Sequence, residues 1–80
     1  MPDDDQERQP LPPYLRIAAD LREQIASGGL APGALVPSIT RLSQEYGVSR
    51  NTAVKALQVL AGEGLTYRVA GWGTFVTERS

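Results

Sequence analysis

A chain of 80 residues holds one small domain at most. It has no cysteine and no histidine, which excludes disulfides, thiol chemistry, a cysteine–histidine zinc site and the usual proton shuttle. The net charge of −1 argues against a nucleic-acid partner, but it is unevenly spread: residues 1–9 hold Asp3, Asp4, Asp5 and Glu7 against Arg8, a net −3, and residues 10–80 carry a net +2. That surplus is weak for a nucleic-acid binder, although it belongs to the part of the chain that has something to bury. No apolar run approaches the length of a membrane span and no signal-peptide pattern opens the chain, so the expected location is cytoplasmic.

In chain order, residues 1–12 have the composition of a disordered acidic tail. Pro13 suits the first turn of a helix, and Tyr14, Ile17, Ala18, Leu21 and Ile25 form its apolar stripe, with Arg16, Asp20, Arg22, Glu23 and Gln24 outside. Gly28-Gly29 ends it. A turn at Leu30-Ala31-Pro32-Gly33 leads to a strand stub, Leu35-Val36. Ser38 caps a second helix whose inner face is Ile39, Leu42 and Tyr46, and Gly47 closes it. Ser49 caps a third helix only two residues later. Its stripe is Ala53, Ala56, Leu57, Leu60 and Ala61, and Asn51, Lys55 and Gln58 fall on the other face. Gly62-Glu63-Gly64 ends the helix. Leu65–Ala70 and Thr74–Thr77 then read as two strands around a Gly71-Trp72-Gly73 tip.

Two short helices across a tight glycine turn form a helix-turn-helix, and a hairpin after it makes the plan a winged helix. The expected fold is therefore mainly α with a small β-hairpin: three helices plus a wing, over residues 13–78. The third helix has a packed side and a free side of hydrogen-bonding residues, with no carboxylate in its first two turns. Such a helix can enter the major groove of double-stranded DNA. Arginine bonds guanine O6 and N7, and asparagine bonds adenine N6 and N7, each in a bidentate way, which nominates Arg50 and Asn51. Ser49 and Thr52 are short enough to reach phosphate, and the second helix start at Ser38 favours an anion through its free amides. Arg41, Lys55 and Arg68 are candidate phosphate contacts, although each also reads as an ordinary surface charge.

From Ser27 to Val76 the chain resembles the DNA-binding domain of GntR-type bacterial transcription regulators. The matching pieces are SGGLAPGALVPS, LSQEYGVSRNTAVKAL, LAGEGL and GWGTFV, in order and spacing. The resemblance implies DNA contacts from Ser38, from Ser49, Arg50, Asn51 and Thr52 in the recognition helix, and from Gly71 and Gly73 at a wing tip in the minor groove. It implies a regulator of repressor type, not an enzyme, without cofactor or metal, binding as two copies on a pseudo-palindromic operator in the nucleoid. Three positions depart from the family pattern: Ile39-Thr40 replace Glu-Arg, Val54 precedes Lys55 where an arginine is common, and Trp72 stands where the wing tip is often basic. Each removes a cation. The family's effector-binding domain has no counterpart in these 80 residues, so no small-molecule site is expected in them; the chain reads as a minimal regulator or as part of a longer one.

Trp72 leaves two readings open, folding back over Tyr67 or Arg68, or pressing on sugar edges of a minor groove. It also supports a rival function, a winged helix used for protein–protein contact, since tryptophan is enriched at interaction hot spots. A further rival is an accessory DNA-binding domain of a larger protein, as in family members fused to aminotransferase-like domains.

Overall fold

The computed structural model describes residues 11–78, which form three helices and one two-stranded antiparallel sheet. The acidic tail expected over residues 1–12 lies, as far as residue 10, outside the described residues. Helix α1 is Pro13–Ser27, α2 is Ile39–Tyr46 and α3 is Arg50–Gly62; strands β1 and β2 are Thr66–Val69 and Gly73–Val76. This is the winged helix-turn-helix plan.

Local chemistry sets the helix boundaries. Pro13 occupies the first turn of α1, where a missing N–H costs no bond. Ser38 Oγ accepts from the Arg41 amide, and Ser49 Oγ accepts from the Thr52 amide, so α2 and α3 each begin on a serine cap. Between them the chain turns at Gly47, with φ 65° and ψ 39°. Ser43 braces this turn: its carbonyl accepts from the amides of Gly47 and Val48, and its hydroxyl donates to the Val48 carbonyl at 2.8 Å.

The core sits where α1 and α2 meet α3 and the base of the wing. Ile17, Leu21, Leu42, Leu60, Val36 and Val76 are its fully buried large side chains. Fully burying side chains of this size stabilises by about 1.5–3 kcal/mol each, so the fold rests on few residues. Ala53 and Ala56 are buried as the stripe on α3 requires, but Ala61 is exposed. The stripe predicts it buried; instead it is exposed at the rim of a surface pocket that it borders with Leu57, Thr66, Arg68 and Thr74, while Leu60 in the same turn is buried.

The hairpin pairs Thr66 with Val76, Tyr67 with Phe75, Arg68 with Thr74 and Val69 with Gly73. Strand β1 is shorter than expected, because Leu65 and Ala70 fall outside the ladder, and β2 is shifted by one residue, gaining Gly73 and losing Thr77. The Leu35-Val36 stub joins the other edge of β2, through a bridge from Leu35 to Phe75 and a bond from the Val36 amide to the Thr74 carbonyl. The wing is thus held from behind by the segment that leads into α2.

Two surface ties complete the frame. Arg22 was expected on the solvent side of α1, yet it is half-buried and grips Glu63, past the end of α3, with bonds of 2.9 and 2.7 Å. The Arg22 bond holds the Glu63 carboxyl below the usual carboxylate range, and the same bond raises Arg22. Tyr46 Oη donates to Asp20 Oδ2 at 2.9 Å, joining α2 to α1. Burial, then that bond, pushes the Tyr46 phenol up to about 12.

Candidate nucleic-acid interface

The start of α2, the start of α3 and the wing border one open groove of about 700 Å³. Ser38, Arg41, Arg50, Arg68, Trp72 and Gly73 line it. These are six of the residues singled out from the sequence, and they come from the starts of two successive helices and from the wing. Three arginines face the groove and no carboxylate does. The weak overall surplus of positive charge is therefore concentrated at this place.

Each arginine is held differently. Arg41 Nε donates to Glu45 Oε2 at 3.0 Å, one turn along the same helix. Arg50 Nη1 donates to Thr40 Oγ1 at 2.7 Å, across the helix-turn-helix. Arg68 projects from the same face of β1 as the buried Thr66, because side chains two apart on a strand share a side. Among the described residues only Arg22 and Arg41 are paired to a carboxylate.

The other candidates lie beside the groove. Asn51 is exposed and Thr52 half-buried on the first turn of α3. Ser49 Oγ, besides capping the helix, lies 3.0 Å from Thr52 Oγ1. Lys55 is exposed but not extended: its Nζ sits 5.0 Å from the centroid of the Tyr14 ring, the range of a cation–π contact. It leans toward α1, a placement its position on the polar face of α3 does not reveal.

At the wing tip, the Trp72 amide donates to the Val69 carbonyl at 2.9 Å, closing a four-residue turn. Gly71 is its third residue, with φ +82°, which a side chain there would resist. Trp72 is 77% exposed. Tyr67 stacks on Phe75, its directly opposed partner in the ladder, with ring centroids 6.0 Å apart. Beside the tip, Leu35 is 57% exposed.

Sequence reasoning noted Thr40 only as a missing arginine and did not consider Ser43. Their partners lie across the turn, at positions that helical periodicity within one element does not connect. Among the described residues no group of histidine, cysteine or acidic side chains is arranged to hold a metal, and no helix is long and apolar enough to cross a membrane.

Residues 13–76 match the family described as bacterial regulatory proteins, gntR family. The chain is 41% identical over 71 residues to the HTH-type transcriptional repressor NagR of Bacillus subtilis (strain 168), covering 89% of this chain and 29% of that protein. It is 43% identical over 67 residues to the mannosyl-D-glycerate transport/metabolism system repressor MngR of Escherichia coli (strain K12), covering 84% and 28%. It thus spans less than a third of the length of these curated relatives. Among solved structures it is similar to AraR(DBD) in complex with operator ORR3, with a TM-score of 0.82 and 38% identity over 85% of this chain and 82% of that one. The winged helix, the groove between its helices and wing, and the match over nearly all described residues lead to one conclusion: the chain belongs to the gntR family of bacterial regulatory proteins.

Proposed function

We propose that this domain binds double-stranded DNA sequence-specifically and is the DNA-binding part of a transcription repressor acting in the cytoplasm, at the nucleoid. The observation that carries the reading is the groove: two helix N-termini, three arginines and the wing tip converge on it, and no carboxylate faces it. Helix N-termini and arginines both favour phosphate, and a protruding helix start fits a major groove. Relatives that are repressors, and a similar domain solved on its operator, support the same reading.

In this reading α3 enters the major groove from its first turn. Arg50 and Asn51 read base edges, while Ser49 and Thr52 fix register on phosphate. Ser38 and Arg41 meet the backbone from the start of α2. Arg68 follows a neighbouring phosphate, and Gly71, Trp72 and Gly73 approach the minor groove. Lys55 reaches a phosphate only by leaving the Tyr14 ring. Two copies on a pseudo-palindromic operator double this surface. The domain proper occupies residues 13–78 and residues 1–12 are an acidic tail.

The protein–protein rival keeps one supporting observation, the exposure of Trp72. The test for both is selection of bound duplexes from random DNA, followed by binding at several salt concentrations. Enrichment of one motif is expected, and Arg50→Ala is expected to cost roughly 1–3 kcal/mol on it. If no motif is enriched and binding is equally weak on every duplex, the DNA-reading assignment fails and the protein-contact reading replaces it.

A further inference from the structure

Arg50 does not extend freely from α3. Its Nη1 donates to Thr40 Oγ1 at 2.7 Å, and both residues line the groove beneath the wing. The bond crosses the helix-turn-helix, from the first residue of α3 to the second of α2. We infer that Thr40 is a positioning residue, which holds the Arg50 guanidinium aimed at a guanine edge and so sets base preference at one position of the operator. This rests on the reading of α3 as the DNA-reading helix.

The chemistry of the two groups suits the role. Guanidinium carries five donors in a fixed plane, and the bond to Thr40 occupies one of them. The Nε–Nη2 edge stays untouched. That edge presents two parallel donors, which match O6 and N7 of guanine. Thr40 Oγ1 accepts from Arg50 and so sets the plane of the guanidinium from α2.

Fixing one rotamer-rich side chain before binding spares an entropy cost worth roughly 2- to 12-fold in affinity. That gain appears only where Arg50 makes its bond, so it raises preference for the right base pair over the wrong one. Thr40 and Arg50 are both exposed, so removing the bond leaves the core untouched.

The test uses the 80-residue chain and the duplex motif that it selects from random DNA. Binding of the wild type, Thr40→Val, Thr40→Ser, Arg50→Ala and the double variant Thr40→Val/Arg50→Ala is measured by fluorescence anisotropy. Two duplexes are compared, the selected one and one with the base pair changed whose preference Arg50→Ala abolishes. Melting temperatures check that all variants fold. Thr40→Val is expected to lower the preference between the two duplexes by roughly 2- to 12-fold. Thr40→Ser, which keeps the hydroxyl, is expected to retain it. In the Arg50→Ala background Thr40→Val is expected to leave preference unchanged, since its only route is through Arg50. The inference is overturned if Thr40→Val weakens both duplexes equally, or acts as strongly without Arg50, since Thr40 would then make a contact of its own. If Arg50→Ala alters preference at no base pair, the base-reading role of α3 falls as well, and the positioning role with it.

Discussion

Glu45→Gln is the perturbation that most directly probes the charge of the interface. Of the three arginines lining the groove, Arg41 shares its charge with Glu45 at 3.0 Å, and Arg50 and Arg68 have no carboxylate partner among the described residues. The affinity of a protein for duplex DNA falls with salt by about 0.9 log units per decade for each phosphate neutralised. Between about 50 and 200 mM salt, each such phosphate therefore costs about 3.5-fold. Two effective cations predict a loss of about 12-fold on a duplex carrying one half-site, and three predict about 40-fold. Glu45→Gln releases Arg41 and moves the chain from the first value toward the second, with higher affinity at low salt. The helix loses a surface pair worth only about 0.3–0.5 kcal/mol, so folding survives. Anisotropy titrations over the salt range supply the slopes. Arg41→Ala is the control: it removes the gain in the Glu45→Gln background. A variant slope equal to the wild type's, or a wild-type slope already steeper than about −5, would refute the reasoning by placing the binding charge elsewhere.

Thr66 is 4% exposed and its hydroxyl has no hydrogen-bond partner among the described residues, so Thr66→Val removes an unsatisfied polar group at nearly constant shape. It is expected to stabilise by about 1 kcal/mol, a rise of roughly 4–8 °C in melting temperature; a fall would mean that the hydroxyl has a partner. Gly47→Ala meets no atom within 4 Å at the new Cβ, so its cost is that of the left-handed backbone alone, about 1–2 kcal/mol by thermal or urea unfolding. A cost above about 3 kcal/mol would point to a clash instead. Tyr46 is protonated more firmly in the fold than when unfolded, because burial and then Asp20 raise its phenol to about 12. Its contribution is therefore complete below the unfolded value, near 10, and is lost as pH rises toward 12. Stability measured from pH 8 upward is expected to fall more steeply for the wild type than for Tyr46→Phe, and parallel curves would remove the assignment.

The sequence by itself determined the elements and the ends of the helices. Proline at the start of α1, serine caps before α2 and α3, and a glycine in the left-handed region between them act within one turn of chain, so their effect is readable from neighbours a few positions apart. The wing tip was legible for the same reason, and the SRNT segment at the start of α3 was legible as a candidate surface because nothing apolar competes for that face. The tertiary structure decided the partners. Arg50 to Thr40, Lys55 over Tyr14, Arg22 to Glu63 and the Leu35 bridge to Phe75 each join positions that only packing brings together. It also decided exposure at two places where periodicity left the matter open or misled. Ala61 continues the stripe of α3 but is exposed beside the wing, and Trp72 is in solvent while Tyr67 stacks on Phe75. Caps and turns are local in energy, whereas the neighbours of a surface side chain depend on where every other element ends.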